Sequence, residues 1–259
     1  MLLSDLSERD RHILDLVREQ GFVGIDDLSR RFDVTPQTIR RGVNGLCERG
    51  LLRRVHGGVE GPAVQGNLPY QRRQVQHLEA KRRIAAAVAA FIADGSSVSI
   101  GLGTTPEQVA LALRDHQDLK VITNSLNVAN ALAGCAGITL TLAGGTLRPS
   151  DLDIVGPAAA QCFAAYKTDY AVFGVGGIDE DGSLLDFEVD EVTARMAMAA
   201  HTRASLLVAD VSKFGRNALA RGGRLDAIDH LFTDASPPAD YEPLWAGGVP
   251  VLHVVGGAQ

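Results

Sequence analysis

Cysteine is scarce in the 259-residue sequence: Cys47, Cys135 and Cys162 are odd in number and far apart. That excludes a disulfide scaffold and predicts reduced thiols, as in a cytoplasmic protein. The seven histidines are dispersed, with no HExxH and no Cys/His pair at ligand spacing, so neither a metal nor a cofactor is expected. No apolar run approaches the roughly 20 residues that span a bilayer. The opening Met1-Leu2-Leu3-Ser4-Asp5-Leu6 lacks a basic leader and the apolar core of a signal peptide. A soluble cytoplasmic protein without a membrane partner is the expectation. Aromatic residues make up only 5% of the chain, against 28 glycines. This balance suits an α/β protein with many tight turns better than a helical bundle or a β-sandwich.

Positive charge is also short overall, with a formal net charge of -6. Taken alone, that opposes a nucleic-acid partner. The average hides a local excess: between residues 28 and 59, Arg30, Arg31, Arg40, Arg41, Arg49, Arg53 and Arg54 face only Asp33 and Glu48.

The same stretch carries helical signals. Ser7-Glu8-Arg9-Asp10 reads as a capping start, followed by an apolar face of Ile13, Leu14, Leu16 and Val17 that ends near Gln20-Gly21. A second short helix around Asp26–Phe32 breaks at Asp33-Val34. Thr35-Pro36 then opens a third, with threonine as N-cap and proline at the first helical position, predicted to run to about Gly50. At 100° per residue Ile39, Val43 and Leu46 share one side, while Gln37, Arg41 and Asn44 project from the other, flanked by Thr38 and Arg40. Arginine forks onto guanine, glutamine and asparagine pair with adenine, and threonine reaches phosphate or a methyl group. Leu51 to Val59 reads as a glycine-tipped hairpin whose Arg53, Arg54 and His56 lie along the DNA backbone. The pattern predicts a winged helix-turn-helix over residues 1–60, with Thr35, Gln37, Thr38, Arg40, Arg41, Asn44 and the wing residues on double-stranded operator DNA.

Residues 61–76, rich in glycine and proline, read as a linker. From 77 to 259, short β-branched runs (Val98–Ile100, Lys120–Thr123, Ile138–Leu142, Tyr170–Val175, Ser205–Ala209, His230–Thr233 and Val249–Val254) alternate with helical patterns. That alternation predicts a doubly wound, mostly parallel sheet. Ligands of such sheets sit beyond the strand carboxyl ends. The residues there are Gly101-Leu102-Gly103-Thr104-Thr105, Asn124-Ser125, Gly144-Gly145-Thr146-Leu147-Arg148, Gly176-Gly177-Ile178-Asp179 and Asp210-Val211-Ser212-Lys213. Gly103-Thr104-Thr105-Pro106 aims helix N–H groups and hydroxyls at an anion such as phosphate, though it is neither GxGxxG nor a Walker loop. Lys213 supplies a point charge. Of the acidic run Asp186, Glu188, Asp190 and Glu191, the last is favoured for ligand hydroxyls. An isomerase or transferase would use similar turns, with Glu191 or Asp210 as its base. A DNA-binding domain on the same chain favours sensing over turnover.

Val34-Thr35-Pro36-Gln37-Thr38-Ile39-Arg40-Arg41 and Leu51-Leu52-Arg53-Arg54-Val55-His56-Gly57-Gly58 resemble the N-terminal domain of the DeoR family of bacterial repressors. The larger half resembles that family's sensor domain, related in fold to ribose-5-phosphate isomerase and CoA transferases. Thr123 to Asn130, Gly177 to Leu185 and Ser212 to Ala218 are similar to the branch that controls glycerol 3-phosphate regulons. The resemblance implies a homodimeric or homotetrameric repressor, released from DNA by glycerol 3-phosphate held by Thr104, Thr105, Arg148 and Lys213. Gly103, Asn124, Gly144, Gly145, Asp179, Glu191 and Asp210 complete the expected site. The sequence departs from the family at Gly42 and Gly45, inside the third helix, and at Gly101, where an aspartate is usual.

Overall fold

The computed structural model describes residues 6–20, 22–49, 51–55, 57–61, 67–245 and 250–256. Contacts divide the chain into two units, Met1–Leu68 and Pro69–Gln259.

The first unit runs α1 (Glu8–Gln20), β1 (Phe22–Gly24), α2 (Ile25–Phe32), α3 (Pro36–Glu48), β2 (Arg53–Val55) and β3 (Gly58–Glu60). Ser7 caps α1, its Oγ accepting from Asp10 N at 3.1 Å. Asp33 enters the left-handed region at φ 50° and stops α2. Thr35 Oγ1 then accepts from Thr38 N at 3.3 Å and starts α3, which ends two residues short of the predicted Gly50. Ile13, Leu28, Ile39, Val43 and Leu46, each at most 1% exposed, form the core. The hairpin β2–β3 gains a third strand that the sequence reading lacked: β1 pairs with β3, in the order β1-β3-β2. Three residues are too few to show a period. Gly58 makes this pairing possible, because a Cβ there would stand 2.5 Å from both Phe22 Cε2 and Val23 O.

The second unit contains α4 (Tyr70–Val75), α5 (Leu78–Phe91), β4 (Ser97–Ile100), α6 (Thr104–Ala112), β5 (Leu119–Thr123), α7 (Leu126–Leu132), β6 (Ile138–Leu142), β7 (Thr146–Arg148), β8 (Asp153–Val155) and α8 (Pro157–Ala164). It continues through β9 (Thr168–Phe173), β10 (Gly177–Ile178), β11 (Ser183–Asp186), α9 (Val189–Ala200), β12 (Thr202–Val208), β13 (Ala220–Arg224), β14 (His230–Thr233) and β15 (Val251–Val254). Seven strands form a parallel sheet in the order β15-β14-β12-β9-β4-β5-β6. Its central strands are apolar on both faces, which is why they read as continuous hydrophobic runs. Ala171 and Phe173 of β9 and Leu207 of β12 join one cluster with Phe163 and Met198, while Val172, Leu206 and Val208 join the other with Ile84, Val88 and Val109. Alternate residues serve opposite faces, as the pleat requires.

The direction of winding reverses between the neighbours β4 and β9, which opens a crevice at their carboxyl ends. Two smaller antiparallel pieces border it: the hairpin β7–β8 and the sheet β10-β11-β13. β7 and β10 overlap the glycine-containing turns 144–148 and 176–179, β8, β11 and β13 are unanticipated, and strands of two to five residues carry no usable period. Tyr70–Val75, read as linker, is a helix within the second unit. Among the described residues no helix is long and apolar enough to cross a membrane.

Candidate operator interface and effector cleft

On α3 the buried stripe Ile39, Val43 and Leu46 fixes which side faces out. Gln37, Thr38, Arg40, Arg41 and Asn44 are all exposed. Thr35 is exposed too, but its hydroxyl is occupied as the cap and lies 2.9 Å from Thr38 Oγ1. Arg54 of the hairpin is exposed and Arg53 half-buried; His56 lies outside the described residues. Packing does not dictate the two α3 glycines: a Cβ on Gly45 meets nothing within 4 Å, and one on Gly42 makes an ordinary 3.4 Å contact with Asp10 Oδ1.

In the second unit, Gly101 N donates to Val172 O at 2.9 Å, tying the end of β4 to β9. Gly103 turns at φ +121°, a conformation suited to glycine, and places Thr104 and Thr105, 6% and 5% exposed, at the start of α6. A small recess opens here, lined by Gly101, Asn124, Phe173, Asp186, Glu191 and Arg195 among others. Asn124 Nδ2 donates to Ile154 O at 2.8 Å, and its buried Oδ1 has no hydrogen-bond partner among the described residues. Asp186 accepts from Gly176 N and from Arg195 Nε, both at 2.9 Å, which fixes the recess wall.

Two charged clusters flank this region and have opposite signs. Around Arg148 stand four carboxylates: Asp153 at 2.8 Å, Asp151 at 3.2 Å, Glu188 at 3.1 Å and Glu191 at 2.5 Å. Burial pushes the Glu191 and Asp153 carboxyls up, with Arg148 opposing in both cases. Four carboxylates therefore ring Arg148, and Glu191 holds it through Oε1 while lining the recess.

The second cluster is cationic. Asp210, 2% exposed, accepts from Ser212 N at 3.1 Å and lies among Lys213, His77 and Lys81. Burial pushes its carboxyl up, but Lys213, His77, the Ser212 hydroxyl and Lys81 outweigh that and hold it below the usual range. Half-buried Lys213 is pushed down to about 7, first by burial and then by Arg216, with Asp210 opposing. Lys81, 3% exposed, is pushed down to about 8, first by burial; the charges around it are Asp210, Arg73, Glu107 and Arg216. Burial also lowers His77.

Of the nominated residues, the structure thus gathers Gly103, Thr104, Thr105, Asn124, Glu191, Asp210 and Lys213 on the carboxyl side of the sheet. Gly144 and Gly145 form an exposed turn before β7, and Asp179 is exposed in the β10–β11 turn, where it accepts from Glu180 N at 2.9 Å. Sequence reasoning missed Arg73, His77, Lys81 and Arg216 on the cationic side and Asp151 and Asp153 on the acidic side. One signal was present: Lys81 interrupts the buried α5 stripe Lys81, Ile84, Ala85, Val88 at i, i+3, i+4 and i+7.

Residues 9–63 match the DeoR-like helix-turn-helix domain, and residues 76–235 match the DeoR C terminal sensor domain. The glycerol-3-phosphate regulon repressor of Escherichia coli (strain K12) is 43% identical over 232 residues, covering 90% of this chain and 92% of that protein. The HTH-type transcriptional repressor CsqR of the same strain is 42% identical over 241 residues, covering 92% of each. Among solved structures, a ribose 5-phosphate isomerase from Plasmodium falciparum overlaps 52% of this chain and 52% of its own, at 17% identity and a TM-score of 0.38, too slight to carry an argument.

Proposed function

Because this chain belongs to the DeoR family of DNA-binding transcriptional repressors, we propose that a phosphorylated polyol relieves its repression, with glycerol 3-phosphate as the effector. The chain is a regulator and not an enzyme. The observation that carries the reading is the polarity of the effector region. Lys213, Lys81 and Arg216 cluster on one side, with Thr104 and Thr105 at the helix start, a setting for a phosphate. Glu191, Asp186 and the unpartnered Asn124 Oδ1 line the recess, where they accept from hydroxyls. Four carboxylates around one arginine repel a phosphate, so Arg148 orders the hydroxyl end instead. A relative 43% identical that is named for the glycerol-3-phosphate regulon supports the same choice.

On DNA, α3 enters the major groove and Arg54 lies along the backbone, with residues 1–60 as the reading domain and 77–259 as the sensor. A dimer or tetramer sets two α3 helices in successive grooves of a pseudo-palindrome. Operator and effector favour different conformations, coupled by about 1–3 kcal/mol. The regulon served is that of glycerol or glycerol 3-phosphate catabolism.

Gly101 favours a second reading, in which the effector is another sugar phosphate. A Cβ there would meet Met198 Sδ at 3.3 Å and Phe173 Cβ at 3.5 Å. The position therefore offers no carboxylate, and Met198 fills the adjoining space. Calorimetric titration of the full chain with glycerol 3-phosphate, ribose 5-phosphate and fructose phosphates separates the two. Saturable binding of glycerol 3-phosphate, weakened about 30-fold or more in Lys213→Ala, is expected, because truncating one partner of a buried charge pair costs 2–5 kcal/mol. Binding of a different sugar phosphate alone transfers the site to that ligand.

A further inference from the structure

The helix α4 opens the second unit, immediately after the division at Leu68/Pro69, and it is fastened at several points. The Tyr70 hydroxyl donates to Glu107 Oε2 at 2.8 Å, and Gln74 Nε2 donates to both Glu107 oxygens at 3.2 Å. Arg73 pairs with buried Asp151, and Lys81 Nζ donates to the Arg73 carbonyl. Tyr70 is 7% exposed, and burial together with the Glu107 carboxylate pushes its phenol well above the usual range.

The anchors matter more than their number. Glu107 lies in the first turn of α6, beside the threonines of the candidate phosphate site, and is one of the charges around Lys81. Asp151 lies 3.2 Å from Arg148, on the opposite cluster. These ties end on two carboxylates, Glu107 beside the candidate phosphate site and Asp151 in the Arg148 cluster. A phosphate dianion repels Glu107 and Asp151, competes for Lys81, and offers Arg73 a partner of higher charge. Each effect loosens α4.

We propose that α4 is a ligand-released clasp: an anionic effector beside Lys213 and Lys81 draws Arg73 from Asp151, opens the Tyr70–Glu107 and Gln74–Glu107 bonds, and so alters the first helix after the DNA-binding unit. The inference rests on the effector reading above and adds one residue to it, Arg73. The clasp would carry ligand binding to the segment that begins the second unit, because α4 starts directly after the division at Leu68/Pro69.

The clasp makes a prediction that a merely structural helix does not. When opening the clasp is part of binding, pre-opening it tightens binding, because the ligand no longer works against those bonds. Tyr70→Phe and Gln74→Ala in the full chain, which leave the Glu107 charge in place, should each bind glycerol 3-phosphate more tightly, by roughly tenfold for a lost bond to a charged acceptor. They should also raise amide exchange in residues 70–76 without ligand, to the level the wild type reaches with glycerol 3-phosphate. Wild-type binding with unchanged exchange in 70–76, or variants that bind equally or more weakly, overturns the clasp and leaves the effector reading intact. If neither glycerol 3-phosphate, another sugar phosphate nor inorganic phosphate binds, both fall together.

Discussion

The two polar surfaces of this protein are built in opposite ways. On α3, Gln37, Thr38, Arg40, Arg41 and Asn44 stand in solvent on a helix whose other face is core. In the effector region Lys81, Asp210 and Glu191 are 3%, 2% and 4% exposed and lie among charges of opposite sign. An exposed face suits a large polyanion, which drives binding by releasing its own counterions and needs adaptable side chains. An enclosed face suits a small ligand, which offers few contacts and needs them already aligned. The contrast teaches that the same residue types serve two partners according to how much water the fold leaves around them.

The strongest way to break the contrast is to remove a buried charge. Arg148→Ala leaves Asp153, which is fully buried, and Glu191 facing each other without their cation. Losing one partner of a buried ion pair costs about 3–5 kcal/mol. Urea denaturation of the full chain should show that loss in the transition of the second unit. Arg148→Lys should restore only part of it, because an ammonium does not reproduce the bidentate hold on Asp153. A variant of wild-type stability whose only defect is effector affinity would make Arg148 a ligand contact after all.

The exposed face answers to a gentler test. Arg41→Ala should weaken operator binding by about 1–3 kcal/mol, the worth of a good base contact, with little change in stability. Salt sharpens the distinction. Anisotropy on operator DNA should show affinity falling steeply between low and moderate salt, while effector affinity measured in the same buffers falls far less, because enclosed charges are weakly screened. Equal salt slopes would mean that the two surfaces do not differ as described.

These two surfaces were also unequally legible in the sequence. The α3 face could be read almost residue by residue, because capping, helical period and exposure are local properties: Thr35-Pro36 announces the start, and Ile39, Val43 and Leu46 announce the back. The seven parallel strands were visible as doubly apolar runs, and their turns pointed to Thr104, Asn124, Asp210 and Lys213. What stayed hidden depends on contacts across long sequence distances. Nothing local joins Arg73 to Asp151, 78 positions away, or Tyr70 to Glu107. The short strands β1, β7, β8, β10 and β11 were hidden for another reason, since two to four residues are too few to show a period. Arg148 shows the limit of reading by residue type. The family resemblance implied that it holds the effector, but nothing in the turn announced that Asp153, five residues on, and Glu191 on α9 surround it with negative charge.

The last and smallest effect is a titration that only the enclosed face is expected to show. Lys213 and Lys81 sit at about 7 and about 8, below the ordinary lysine value near 10.4. As pH rises through 7 the native cluster sheds protons that an unfolded chain still holds, so the free protein gains stability between about pH 7 and 10. Effector binding runs the other way. A bound phosphate needs the lysines charged, so above pH 7 binding must take up protons, and affinity falls by up to about tenfold per pH unit for each proton taken up. Below about pH 6 the phosphate itself loses its second charge. Thermal melts from pH 6 to 9 should therefore show the midpoint of the free protein rising while the increment from added glycerol 3-phosphate shrinks. In Lys213→Ala the rise should be reduced and the increment nearly absent. A ligand increment that is flat across this range would remove the lysines from the phosphate site and return the cationic cluster to a purely structural role.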